Sequence, residues 1–115
     1  MKRNRVDAVL DRLEQMGLEQ MIITDATSIF YLTGIWVDAG ERLVALYLSR
    51  HRDCCFFVNN MFNLPPDPGV KIVRFSDTDP YLEMLAGCTD STRPLGVDKN
   101  MPARFLLPLM SMGCG

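Results

Sequence analysis

The single His and the four Cys are the first residues to test for chemistry. Cys54 and Cys55 are adjacent, Cys88 and Cys114 stand apart, and no C-x-x-C pair occurs. That spacing excludes a zinc ribbon and a thioredoxin-type motif. His51-x-x-Cys54 offers two ligands in a charged turn, short of the four convergent ligands that structural zinc takes. Cys54 and Cys55 head an apolar strand pattern, where a reduced Cys acts as a small hydrophobe. Asp25 and Asp98 both follow strand patterns, and open α/β sheets bind ligands beyond the carboxyl ends of their strands. Two such carboxylates can share a metal, or each can cap the turn or helix that follows it, which cap preferences favour. Phosphate-loop, dinucleotide, zinc-peptidase and nucleophile-elbow motifs are all missing. The stretch from Tyr31 to Arg42 is the most unusual. It carries the only Trp, Trp36, between Gly34 and Gly40, with Asp38, Glu41 and Arg42 close by. Aromatic residues and Arg dominate binding hot spots, and loops carry function. The same residues serve equally well to cover a sheet edge and solvate the start of a strand.

The elements that must position these residues follow from periodicity. Val6, Val9, Leu10, Leu13 and Met16 recur at helical spacing, with Asn4 as cap, Asp7 in the first turn and Gly17 as the stop. Met21 to Thr24 reads as a buried strand, and Asp25 then caps a short helix that ends near Gly34. Residues 35–40 form a loop. Strands at 42–49 and 54–58 flank a short polar turn and predict an antiparallel hairpin. Leu64 to Gly69 holds three prolines and is a loop; Val70 to Phe75 is a fourth strand. Pro80 after Thr78-Asp79 opens a helix to about Ala86, Leu95 to Val97 is a short fifth strand, and 103–112 is helical despite Pro108. This order predicts one α/β domain, a three-layer α/β/α sandwich around a mixed five-stranded sheet.

Composition fits. The 115 residues are 48% hydrophobic and 23% charged, an ordinary globular balance. A net charge of -2 speaks against a nucleic-acid partner. With no apolar run near the ~20 residues of a membrane span, and no signal-peptide core after the basic N-terminus, the expectation is a cytoplasmic protein with no membrane partner. Ending straight after a helix, at Gly113-Cys114-Gly115, the chain reads as a segment cut from something longer.

Val6 to Leu18, then Met21-Ile22-Ile23-Thr24-Asp25, then Ser28-Ile29-Phe30-Tyr31-Leu32-Thr33-Gly34 closely resembles the opening of the creatinase/prolidase N-terminal domain. The family pattern Asp-Pro-x-Asn-Ile-x-Tyr-Leu-Thr-Gly is kept at Asp25, Ile29, Tyr31, Leu32, Thr33 and Gly34, with Ala26 for Pro and Ser28 for Asn. Glu41-Arg42 before a strand and Leu95-Gly96-Val97-Asp98 before the last helix also look like the family. The resemblance covers nearly the whole chain. It implies a ribonuclease-H-like α/β fold over residues 1–115, with the pita-bread catalytic domain outside the chain. It implies as parent an Xaa-Pro dipeptidase, holding two divalent metals (manganese, cobalt or zinc) in that other domain. This segment would then hold no catalytic residue, metal or cofactor and be inactive alone. Its partners would be its own catalytic domain, a second copy in a homodimer, and the proline-containing peptide. In that reading Trp36 and Asp38 gate the active site, reaching that of the partner subunit, while Asp25, Tyr31, Gly34, Glu41 and Arg42 are structural. A creatinase-like C–N hydrolase shares the domain, and a stand-alone dimerisation or binding module is a third possibility. A nuclease of the same fold lacks its carboxylate cluster here.

Overall fold

A computed structural model describes residues 1–38, 40, 42–64 and 69–111. Glu41 and Cys114 lie outside the described residues, as does most of the proline loop. Helix α1 (Arg3–Gln15) buries Val6, Leu10 and Leu13. It begins one residue before the expected cap, so Asn4 sits inside its first turn and Lys2 occupies the cap position without a side-chain bond. Asp7 lies beyond the first turn and pairs with Arg3 at 3.5 Å, one helical turn away. Met16, expected on the apolar face, follows the helix and is exposed. Gly17 takes a left-handed φ of 78°, and the chain turns into β1 (Gln20–Ile23).

Helix α2 (Ala26–Thr33) is followed by β2 (Ala45–Ser49) and β3 (Cys55–Asn59), which form the antiparallel hairpin. Strand β4 (Lys71–Phe75), helix α3 (Tyr81–Cys88), strand β5 (Gly96–Val97) and helix α4 (Ala103–Ser111) complete the order. Strand β2 starts later than periodicity suggested. Leu43 and Val44 are buried but carry no ladder partner. Pro80 caps α3 rather than opening it, because the Asp79 carboxylate is taken by the Ser76 N–H at 2.8 Å.

The sheet order is β4-β3-β2-β1-β5. Strand β2 runs antiparallel to both neighbours, and the β3–β4 and β1–β5 pairs are parallel. It is therefore mixed in the way the hairpin demanded. All of β2 and β3 is buried, and alternate residues feed two cores. Ile23, Leu46, Leu48, Phe56 and Val58 pack under α1 and α2. Ile22, Ala45, Tyr47, Cys55 and Phe57 pack under α3 and α4. Two apolar faces need two covering layers, and the chain supplies two helices to each. The result is the expected three-layer sandwich.

Candidate functional site

The carboxyl ends of β1, β3, β4 and β5 share one edge of the sheet, and Asp25, Asp98 and Arg42 gather there, whereas α2 ends against Lys2, away from that edge. Asp25 caps α2: its carboxylate accepts from the Ser28 N–H at 3.0 Å and the Ser28 hydroxyl at 2.8 Å. These bonds hold the Asp25 carboxyl below the ordinary carboxylate range. Asp98, at the end of β5, accepts from the Thr24 N–H at 3.0 Å, the Thr24 hydroxyl at 3.0 Å and the Asp25 N–H at 2.9 Å. It stitches β1 to β5 where their ladder ends.

Helix α2 carries the Tyr-Leu-Thr-Gly turn, and each residue there has a definite structural task. Leu32 is core. The buried Thr33 hydroxyl donates to the Ile29 carbonyl at 2.7 Å and accepts from the Ile35 N–H at 3.0 Å. Gly34 ends the helix with φ 76°, a left-handed conformation that side chains resist. Tyr31 is exposed, its ring covered by the Arg5 guanidinium at 4.3 Å; Arg5 also donates to the Tyr31 carbonyl at 2.8 Å. The turn thus fastens α2 to α1.

Beyond Gly34 the chain alternates like a strand without a partner. Ile35 and Val37 are buried in the α1–α2 core, so Trp36 and Asp38 point to solvent. Trp36 is 59% exposed and meets Phe30 edge-on, ring centroids 6.0 Å apart. Phe30 is itself half-exposed. No sequence pattern assigned Phe30 a role. Its signal was an extra aromatic on a short helix whose apolar face was already filled by Ile29 and Leu32.

Arg42 closes the segment. Its guanidinium straddles the Asp77 carboxylate, Nε to Oδ1 at 3.3 Å and Nη2 to Oδ2 at 3.1 Å. Buried Asn59 donates to the same carboxylate at 2.7 Å. Arg42, followed by Asn59, holds the Asp77 carboxyl down. Neither Asp77 nor Asn59 is suggested by local pattern, since they reach Arg42 only through strand pairing. Between Asp25, Gly40, Arg42, Asn100 and Phe105 lies a cleft of about 190 Å³. That is below the ~300 Å³ at which small-molecule sites begin. A larger groove of about 450 Å³, lined by Val9, Met21, Ile23, Tyr31 and Leu32, is almost wholly apolar.

This donor set does not fit a dinuclear metal centre. Asp98 spends its oxygens on Thr24 and the Asp25 N–H, and Asp25 gives Oδ2 to Ser28 and Oδ1 to the Asn100 amide at 3.4 Å. Among the described residues no three His, Cys, Asp or Glu side chains converge. His51 lies at the opposite edge, 3.8 Å from Glu19. Among the described residues no helix is long and apolar enough to cross a membrane.

Fold and site together define a three-layer α/β domain that presents an exposed aromatic segment after α2. The chain belongs to the creatinase/prolidase N-terminal domain family, whose model matches residues 5–112. No curated protein matches it. Among solved structures it is similar to the N-terminal domain of an X-Pro dipeptidase from Streptococcus pyogenes, with TM-score 0.79 at 19% identity. That match covers 94% of this chain and 86% of the other. It is also similar to dipeptidase PepE from Mycobacterium ulcerans, with TM-score 0.81 at 27% identity, over 96% of this chain and 32% of that one. A prolidase from Thermococcus sibiricus gives 0.79 at 20% identity, again over 96% and 32%. This chain spans about a third of the two longer proteins.

Proposed function

We propose that this chain is the non-catalytic N-terminal domain of an Xaa-Pro dipeptidase, serving dimerisation and the shaping of the active site. The observation that carries the reading is the segment from Ile35 to Asp38, pinned by two buried side chains so that Trp36 and Asp38 must project. Trp36 and Phe30 meet edge-on while both are exposed, and contiguous apolar surface of this kind marks a contact site. Family membership and relatives that are themselves X-Pro dipeptidases and prolidases supply the direction. In this reading the metals and their bound water belong to a catalytic domain outside this chain, and the present residues contribute no step of the reaction. Trp36 and Asp38 border the pocket in which a proline-containing peptide sits, that of the partner subunit in a homodimer. Their work there is to exclude bulk water and longer peptides. Exposed Phe30 and Tyr31, beside the apolar groove, give the domain an apolar surface suited to assembly.

The test compares hydrolysis of an Xaa-Pro dipeptide, with added manganese, by the 115-residue chain and by the gene product continued past Gly115. Activity in the longer protein alone is the expected outcome. A folded, metal-loaded longer protein that leaves the dipeptide intact overturns the dipeptidase reading and favours C–N hydrolase chemistry or a binding module. Turnover by the 115-residue chain overturns the assignment of the chemistry to another domain.

A further inference from the structure

Two thiols share the core beneath the α3–α4 layer and belong to none of the surfaces described above. Cys55 opens β3 and points into the core under α3, 3% exposed. Cys88 is the last residue of α3; it packs on the same core but keeps partial access to solvent. The crossover brings them together. Tyr81 at the start of α3 stacks on Phe75 at the end of β4, centroids 5.2 Å apart. The helix then runs back along the sheet and delivers Cys88 to the edge where β3 begins. There Cys88 packs on the core that holds the Cys55 thiol and helps to raise its pKa, while the Cys55 sulfur lies 3.5 Å from the Asp53 carbonyl. Both thiols are free. Cys54, next in sequence, faces the opposite layer, its thiol toward the Ser49 carbonyl at 3.5 Å. Strand alternation therefore selects Cys55, and not Cys54, as the partner of Cys88.

We propose that Cys55 and Cys88 form a reversible disulfide that ties α3 to β3, with a hydroperoxide as oxidant. The sulfur of Cys88, the one with access to solvent, attacks a peroxide oxygen. The O–O bond breaks, one water leaves, and Cys88 becomes a sulfenic acid. The Cys55 sulfur then attacks the Cys88 sulfur, the S–O bond breaks, and hydroxide leaves with the Cys55 proton as a second water. Two thiols lose two electrons and hydrogen peroxide is reduced to two waters. The order of events follows from environment. Burial, and the Cys88 sulfur beside it, push the Cys55 thiol up to about 11. It stays protonated near neutral pH and acts second, on a sulfur packed against the same core. A small thiol reverses the bond by exchange.

The experiment treats the reduced chain with hydrogen peroxide, alkylates it after denaturation and maps the peptides by mass. Two of the four thiols should be lost. A Cys55–Cys88 cross-linked peptide lighter by two hydrogen atoms should appear and vanish on reduction. Cys54→Ser should give the same cross-link. Cys88→Ser, altered at a partly exposed site, should leave Cys55 fully alkylatable. Four surviving thiols overturn the proposal. So does a Cys54–Cys55 or intermolecular bridge in place of the expected one, or Cys88 driven to sulfinic acid while Cys55 remains a free thiol.

Discussion

At the scale of single residues, the most consequential side chain is one that no motif announces. Gln20 is 1% exposed, and its amide donates to the carbonyls of Asp90 at 2.8 Å and Arg93 at 3.0 Å. Its oxygen accepts from the Tyr47 hydroxyl at 2.6 Å and the Asp90 N–H at 2.9 Å. One side chain thus satisfies a buried phenol and the turn that leads into β5. Gln20→Leu strands these groups and should cost about 3 kcal/mol in urea unfolding, whereas Tyr47→Phe, which removes one bond and no shape, should cost about 1 kcal/mol. Carboxylates set the acid limit. Asp25, Asp77 and Asp90 all lie below the ordinary 3.8, held down by hydrogen bonds from Ser28, Arg42 and Thr92 respectively. A depressed folded value means stability that is complete above 3.8 and lost as pH falls through those lowered values. The urea midpoint should therefore hold from neutrality to about pH 4 and then drop, and Asp77→Asn should flatten part of that drop. A midpoint already falling between pH 7 and pH 5 would contradict this. Tyr47 acts at the alkaline end. Burial raises its phenol, so its contribution is complete below 10.0 and disappears as pH rises through the higher folded value.

Among the elements, α2 and the segment after it were legible in the sequence because their signals are local. Asp25 is a cap three residues before Ser28, and Gly34 is a left-handed stop four residues after Phe30. What the loop would do was not legible. Whether Trp36 covered a sheet edge or met solvent depended on where Ile35 and Val37 found a core, and that core is built from α1, β2 and β3. Thr33 is the hinge pin. Thr33→Val keeps the shape but leaves the Ile35 N–H unpaired, so we expect a loss of about 1–2 kcal/mol and faster hydrogen exchange at Ile35. Thr33→Ser should retain most of both. Equal exchange in the two variants would mean the hydroxyl does not hold the segment. Asn4 shows the reverse case. Its type favours a cap, yet the Lys2 N–H bonds to the Leu32 carbonyl at 2.7 Å and α1 starts two residues earlier, with Lys2 as its cap. A tertiary bond outweighed a cap preference of about 1 kcal/mol.

Over the whole molecule, the two cores and the projecting segment predict separable effects. Trp36→Ala removes a ring that is mostly in water, so its cost to stability should stay below about 1 kcal/mol. On the proposed function, the same change in a protein carrying the catalytic domain should lower kcat/KM for an Xaa-Pro dipeptide well beyond any change in melting temperature. A large drop in melting temperature with unchanged kinetics would show that Trp36 belongs to the fold. Charges tie the layers together at the opposite edge. Arg50, at the end of β2, bonds to Asp11 and Glu14 on α1, and Arg93 bonds to Glu19. These pairs are exposed, so their number says less about stability than the buried amide of Gln20 does.

By itself, the sequence determined the element order, the mixed sheet and the family. Each rests on short-range physics: apolar spacing of 3.6 or 2, caps and left-handed glycines a few residues apart, and a Tyr-Leu-Thr-Gly turn whose parts satisfy one another. Only the tertiary structure decided which residues meet. Gln20 reaches Asp90, Arg42 reaches Asp77, and Cys55 rather than Cys54 shares a core with Cys88. Those pairings depend on strand order and crossover, which bring together positions tens of residues apart. The direction of Trp36 has the same origin, because a loop side chain points outward only once the folded core has taken its neighbours.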